Sequence, residues 1–263
     1  MPERAIGIFD SGVGGLTVLK EVARLLPREE LLYVGDTARV PYGTKSPETV
    51  RRYAHEVAEF LVSQGVKMLV VACNTASAVA LESLSGHFCI PVIGVIAPGA
   101  RRAATLSHGR RIGVIGTEGT VKSGAYAREI QACDPAIEVF SAPCPLFVPL
   151  AEEGWAEHRI ATLAAEEYLA PLLTHRIDTL VLGCTHYPLF KNTLHALLGT
   201  SVQLVDSAEE TAKAVVARLH DVGANITGRG RTRFFVTDVP DRFTRVGSAF
   251  LGTRLEGVTQ IEL

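Results

Sequence analysis

Short apolar, β-branched runs alternate along this chain with stretches whose apolar residues recur at helical spacing, the pattern of a parallel sheet covered by helices. The runs predict strands over residues 5–10, 31–35, 68–72, 92–95, 111–116, 138–141, 179–183 and 203–206. Between the second and third of these, Val50, Ala54, Val57 and Leu61 fall on one helical face. Ser46-Pro47 predicts where that helix starts, because a serine hydroxyl caps free amides and the fixed φ of proline suits the first helical position. Ser207, with Glu210 following in the same turn, reads as a capping box opening another helix. The predicted fold class is α/β.

The two halves of the chain echo each other. Ile6-Gly7-Ile8-Phe9-Asp10-Ser11-Gly12 returns as Ile112-Gly113-Val114-Ile115-Gly116-Thr117-Glu118, and Leu69-Val70-Val71-Ala72-Cys73-Asn74-Thr75 returns as Leu180-Val181-Leu182-Gly183-Cys184-Thr185-His186. Apolar strands resemble one another, so either match alone is weak. Both in the same order predict two similar lobes, each a mainly parallel sheet flanked by helices. A hinge at residues 96–99 would separate them, and a small-molecule site belongs in the cleft between.

With 263 residues, 47% of them apolar and 21% charged, the chain can bury a sizeable core in one large or two ordinary domains. A formal net charge of −2 gives no reason to expect nucleic acid or an anionic membrane as partner. The basic pairs Arg101-Arg102 and Arg110-Arg111 read as solvated surface. No run reaches the roughly 18 apolar residues that span a bilayer, and the opening Met1-Pro2-Glu3-Arg4 has no signal-peptide pattern. The five cysteines are scattered, odd in number and without CxxC or zinc-ligand spacing, which suits a reducing cytoplasm.

In an open parallel sheet, ligands gather at the carboxyl ends of the strands. Asp10-Ser11, Cys73-Asn74-Thr75, Thr117 and Cys184-Thr185-His186 all fall at predicted strand ends. The segment Asp10-Ser11-Gly12-Val13-Gly14-Gly15 lacks GxGxxG spacing and would set an aspartate against phosphates, so it reads as a tight turn into a helix whose amides can receive a carboxylate. An isolated cysteine at a strand end is ordinarily a small buried hydrophobe, and that reading suffices for Cys89, Cys133 and Cys144. Cys73 and Cys184 differ: each is followed by polar donors, and each has a counterpart in the other half. The residues alone leave packing and catalysis balanced for this pair.

If the two thiols faced each other across a cleft, one could remove a proton from a carbon while the other delivered one to its opposite face. A free thiol, with pKa about 8.5, needs a base or positive potential nearby to supply thiolate. Asp10 is placed to assist Cys73, and His186 to assist Cys184. Donors on the substrate carboxylate and exclusion of water would have to stabilise the carbanion.

At this point the chain resembles the glutamate racemase family of the aspartate/glutamate racemase superfamily. The resemblance rests on Asp10-Ser11-Gly12-Val13-Gly14-Gly15-Leu16, Gly35-Asp36-Thr37, Pro41-Tyr42-Gly43, Ala72-Cys73-Asn74-Thr75, Gly116-Thr117-Glu118-Gly119-Thr120, Pro149-Leu150-Ala151-Glu152 and Gly183-Cys184-Thr185-His186-Tyr187-Pro188, in family order over nearly the whole chain. Ala151 is a mild departure.

The resemblance implies a two-domain enzyme that interconverts L- and D-glutamate without pyridoxal phosphate, other cofactor or metal, and supplies D-glutamate for peptidoglycan. It implies Cys73 as the base acting on D-glutamate and Cys184 as the base acting on L-glutamate, with Asp10, His186 and Glu152 assisting. Asp10, Ser11, Pro41, Tyr42, Gly43, Cys73, Asn74, Thr75, Thr117, Thr120, Cys184, Thr185 and His186 become the expected substrate-binding set. The C-terminal part would return to the first lobe, giving domains 1–97 plus 207–263 and 98–206. The implied partner is the small substrate, with a homodimer in view.

Without the family, Pro41-Tyr42-Gly43 is a turn, Glu152-Glu153 is solvated surface, and Trp155 and His158 are packing or exposed side chains. Three rivals remain: an aspartate or hydantoin racemase, a two-lobed binding protein without turnover, and a cysteine hydrolase, which would need one nucleophile rather than two matched thiols.

Overall fold

The computed structural model describes residues 5–221 and 230–263. Its strands are β1 (Ile6–Asp10), β2 (Leu31–Gly35), β3 (Met68–Val71), β4 (Val92–Gly94), β5 (Arg111–Gly116), β6 (Glu138–Pro143), β7 (Thr179–Gly183), β8 (Gln203–Asp206), β9 (Thr232–Val236) and β10 (Val258–Gln260). Its helices are α1 (Leu16–Leu25), α2 (Pro47–Ser63), α3 (Asn74–His87), α4 (Ile96–Leu106), α5 (Glu118–Ser123), α6 (Ala125–Cys133), α7 (Phe147–Glu152), α8 (Arg159–Leu173), α9 (Lys191–Leu198), α10 (Ser207–Asp221) and α11 (Pro240–Leu251). Every strand pairing among the described residues is parallel.

The strands form two sheets, ordered β10-β9-β2-β1-β3-β4 and β6-β5-β7-β8. The run β2-β1-β3-β4 matches β6-β5-β7-β8 strand for strand, so the echoed sequence segments occupy equivalent places in two like lobes. In each lobe the chain leaves a central strand to one side and then crosses to the other. That reversal opens a crevice at the carboxyl ends of β1 and β3, and again at those of β5 and β7. Asp10 and Cys73 stand at the first crevice, Thr117 and Cys184 at the second.

Both faces of the first sheet are covered, which explains why its strands read as continuous apolar runs. Ile6, Ile8, Leu31, Tyr33, Met68 and Val70 point into one buried cluster, which continues through Ile112, Val114 and Leu182 of the second lobe. The alternate residues Phe9, Leu32, Val34, Leu69 and Val71 point to the other face, where they meet Val57 and Leu61 of α2. Val50, Ala54, Val57 and Leu61 are all buried, each worth about 1–3 kcal/mol according to its size. The Ser46 hydroxyl accepts from the Thr49 amide, with Pro47 at the first helical position.

Three local expectations are corrected. Ser207 is the first residue of α10, but Asp206 Oδ1 takes the Ala208 amide at 2.8 Å, while Glu210 turns to Lys213. An aspartate one residue earlier therefore outcompetes the capping box. Residues 96–99 are the first turn of α4, so the chain crosses between the sheets as helix rather than as a loose hinge. Cys144 is buried, but Cys89 and Cys133 are exposed, Cys89 lying just after α3 and Cys133 ending α6. Trp155 and His158 are exposed side chains in mutual contact, with ring centroids 5.0 Å apart.

Candidate active site

The two crevices face each other and enclose one small cavity of about 30 Å³, room for one or two waters. Twelve expected site residues line it: Asp10, Ser11, Pro41, Tyr42, Gly43, Cys73, Asn74, Thr75, Thr117, Cys184, Thr185 and His186, joined by Val40 and Val148. Both cysteines thus reach a shared space from opposite lobes. Glu152 and Thr120 do not line it. Glu152 stands behind His186, with Oε1 3.2 Å from His186 Nε2, and Thr120 stands behind Thr75 and Thr117 at 3.3 and 3.0 Å.

The first-lobe side is built on the turn after β1. Asp10 Oδ2 accepts the amides of Gly12 and Gly15, both at 3.1 Å, and Tyr33 donates to the Gly12 carbonyl at 2.8 Å. Asp10 Oδ1 is buried without a partner. Burial pushes the Asp10 carboxyl up, while the His186 charge and the amides of Gly15, Gly12 and Ser11 pull against that rise. Cys73 caps α3, its Sγ taking the Ala76 amide at 3.5 Å and standing 3.8 Å from Ser11 Oγ. Burial and the Asp10 charge nevertheless raise this thiol to about 12, so Cys73 rests protonated. Tyr42 donates its hydroxyl to Asp36 and not to the cavity, and burial beside that carboxylate keeps the phenol protonated.

On the second-lobe side, Cys184 Sγ lies 3.8 Å from His186 Nδ1. Burial works against charge on His186, but its hydrogen bonds to Cys184 and Glu152 and the charges of Cys184 and Asp10 raise its pKa to about 10. His186 is therefore an imidazolium at neutral pH, held between the Cys184 sulfur and the Glu152 carboxylate. A histidine whose folded pKa is raised contributes stability that is fully present below its unfolded pKa, about 6.5. That contribution is lost as pH rises through the folded value near 10. His186→Asn is expected to flatten the fall in stability between those limits, read by denaturant titration at several pH values; a slope equal to that of the unsubstituted protein would contradict the assignment.

The lobes touch directly around the cavity. Tyr126 donates to Asn74 Oδ1 at 2.7 Å, which leaves Asn74 Nδ2 buried and unpartnered. Thr17 donates to the Thr185 carbonyl at 3.2 Å, and Thr75 and Thr117 share a hydroxyl contact of 2.9 Å. A Cβ on Gly14 would lie 2.2 Å from Thr185 Oγ1 and 2.5 Å from His186 Nδ1, so only glycine lets the first turn approach Cys184 this closely. Tyr126, Thr17, Arg242 and Asp36 were not among the expected site residues. Asp36 alone carries a signal, since it sits in Gly35-Asp36-Thr37, one of the segments on which the family resemblance rests.

Like α/β lobes closing a cavity between cysteine-tipped strands define a two-lobed α/β protein with its site between the lobes. The chain belongs to the Asp/Glu/hydantoin racemase family, whose sequence profile matches residues 6–215. It is 57% identical to the glutamate racemase of Geobacter metallireducens, over 100% of this chain and 98% of that one. Among solved structures it is similar to the Thermus thermophilus glutamate racemase in complex with β-chloro-D-alanine (TM-score 0.91, 49% identity, 100% and 98% of the two chains). It is also similar to the Francisella tularensis glutamate racemase in complex with D-glutamate (TM-score 0.93, 41% identity, 100% and 98%).

Proposed function

We propose that this protein racemises glutamate by a two-base mechanism in which Cys73 and Cys184 act on opposite faces of the α-carbon. The observation that carries the reading is that the two thiols enter one cavity from opposite lobes, each with an ionisable neighbour. Two thiols suffice as acid and base, so the scheme calls for no cofactor.

With L-glutamate bound, Cys184 as thiolate beside cationic His186 takes the α-proton, and the resting Cys73 thiol gives its proton to the other face. The product is D-glutamate, with Cys184 now protonated and Cys73 a thiolate. The reverse reaction, or proton exchange with solvent, restores the start. Two orphaned polar atoms on residues lining the cavity fit the ends of an amino acid: Asp10 Oδ1 can accept from the ammonium, and Asn74 Nδ2 can donate to the α-carboxylate. Hydroxyls of Ser11, Thr75, Thr117 and Thr185 supply further donors around the developing charge.

A glutamate does not fit in about 30 Å³, so the lobes part to admit it and close to exclude water. The two domains are proposed as residues 1–97 plus 207–263 and residues 98–206. No helix among the described residues is long and apolar enough to cross a membrane, and a cytoplasmic enzyme supplying D-glutamate for peptidoglycan, as a possible homodimer, completes the reading. Its test is a substrate panel followed by polarimetry: both glutamate enantiomers, L-aspartate and a hydantoin, each with purified protein alone. Loss of rotation with both glutamates, at least about 100-fold faster than with the others, is the expected result. Faster turnover of aspartate or the hydantoin would overturn the substrate assignment.

A further inference from the structure

The acid/base pair of the second lobe does not end at Glu152. Glu152 Oε1 meets His186 Nε2 at 3.2 Å, and its other oxygen, Oε2, accepts from Arg242 Nη2 at 2.8 Å. Arg242 lies in the first turn of α11, which packs against α1 and β10 of the first lobe, whereas Glu152 ends α7 beside the second. We propose that Arg242 is a positioning residue for the racemase reaction: it clamps Glu152 across the interlobe crevice, and through Glu152 holds the His186 ring against Cys184. The inference rests on the two-thiol reading above and extends it to a residue outside the cavity.

The geometry gives a reason for the clamp. Glu152 ends a short helix and is followed by a turn in which Gly154 takes a positive φ of 75°, so little backbone structure fixes its side chain. One carboxylate oxygen orienting an imidazolium leaves the other free to swing towards solvent, and Arg242 occupies that oxygen. Burial pushes the Glu152 carboxyl up, yet the hydrogen bond and charge of His186 and then the charge of Arg242 hold it below its ordinary value. The groups around His186 are accounted for: Cys184 and Thr185 at Nδ1, Glu152 at Nε2, the Asp10 charge across the cavity, and the Phe250 ring of α11, nearly perpendicular with ring centroids 5.4 Å apart. Among the described residues, Arg242 is the cation that pairs with Glu152 from outside the cavity.

The clamp also couples closure to chemistry. Arg242 and Glu152 line a crevice of about 60 Å³ with Gly12, Val13 and Phe243 of the first lobe. Parting the lobes to admit substrate separates Arg242 from Glu152, and closing them restores the pair. The orientation of His186 is then completed only once substrate is enclosed. Arg242 is half exposed, with a side-chain accessibility of 51%, and surface ion pairs contribute little to fold stability. A large effect on turnover from this residue would therefore not come from unfolding.

The test compares Arg242→Ala, Arg242→Lys and Glu152→Gln with the double variant Arg242→Ala/Glu152→Gln, measuring kcat and KM with both glutamate enantiomers. Arg242→Ala is expected to lower kcat about tenfold with KM and melting temperature little changed, because a clamp lost outside the cavity spoils orientation more than binding. Arg242→Lys should recover most of that loss. Adding Arg242→Ala to Glu152→Gln should do no further harm, since the two side chains act as one unit. An Arg242→Ala enzyme within threefold of the unsubstituted protein, or an equal loss in both Glu152 backgrounds, overturns the proposal, where threefold is about the scatter expected of independent sites. If the unsubstituted protein racemises neither enantiomer, the underlying function fails instead, and the two failures are separate.

Discussion

Replacing either Cys73 or Cys184 with serine is expected to abolish racemisation of both enantiomers, by about 10³-fold or more, in a protein that remains folded. General acid–base groups contribute about 10²–10⁴-fold, and serine is a far weaker acid than the thiol it replaces. Each cysteine is acid in one direction and base in the other, so neither can be spared. The enantiomers have equal free energy, and kcat/KM must therefore fall by the same factor in both directions, whichever cysteine is lost. Any asymmetry appears in how the loss divides between kcat and KM. The fold should survive because serine is nearly isosteric and both positions border a cavity that hydroxyl side chains already line. Circular dichroism and melting separate loss of chemistry from loss of structure. A serine variant retaining a tenth of the activity would contradict the two-thiol account.

The second large effect is expected at Gly14, which touches no substrate in this scheme. Gly14→Ala places a methyl where Thr185 Oγ1 and His186 Nδ1 would be 2.2 and 2.5 Å away. Real Cβ atoms do not come so close. The added atom is fixed to the backbone of a turn anchored by Asp10, so the lobes cannot close fully and His186 is pushed from Cys184. Misplacement on the ångström scale costs catalysis about 100-fold, and a loss of about that size is predicted in kcat/KM. The alanine variant should still fold, because each lobe keeps its own hydrogen-bonded sheet. Activity within fivefold of the unsubstituted protein would show that the closed arrangement is not the working one. Gly43, whose Cβ would meet Thr117 Cβ at 2.6 Å, makes a similar interlobe approach.

Much of this arrangement is legible in the chain because it is written locally. Strands β2, β5, β7 and β8 have the bounds that their apolar runs predict, and the twin cysteine segments fall at equivalent crevices because the repeat is a repeat of topology. Strands β9 and β10 escape notice for a physical reason. Thr232 and Arg233 begin β9 with polar side chains, and β10 is three residues at the sheet edge, where alternate positions face water and the pattern fades. What a linear reading cannot supply is partnership across the cleft. Tyr126 leaving Asn74 Nδ2 free, Arg242 reaching Glu152, and Tyr42 turning its hydroxyl to Asp36 are tertiary pairings between ordinary residue types. Motif matching placed Glu152 and Thr120 among the site residues, and both stand one layer behind the cavity wall.

The central claim is that two different thiols serve the two faces of one carbon, and isotope entry tests it most directly. L-glutamate is incubated with the protein in deuterated buffer, and the reaction is stopped early, with less than about a tenth converted. The enantiomers are separated and each is examined by mass spectrometry. A two-base site returns only the abstracted protium to the substrate and delivers solvent deuterium to the product. D-glutamate should therefore carry a single α-deuterium from the first turnover, while recovered L-glutamate stays unlabelled, and the experiment begun from D-glutamate should mirror this. Deuterium appearing equally early in recovered substrate and product would mean that one group serves both faces, and the assignment of Cys73 and Cys184 as opposed bases would fall.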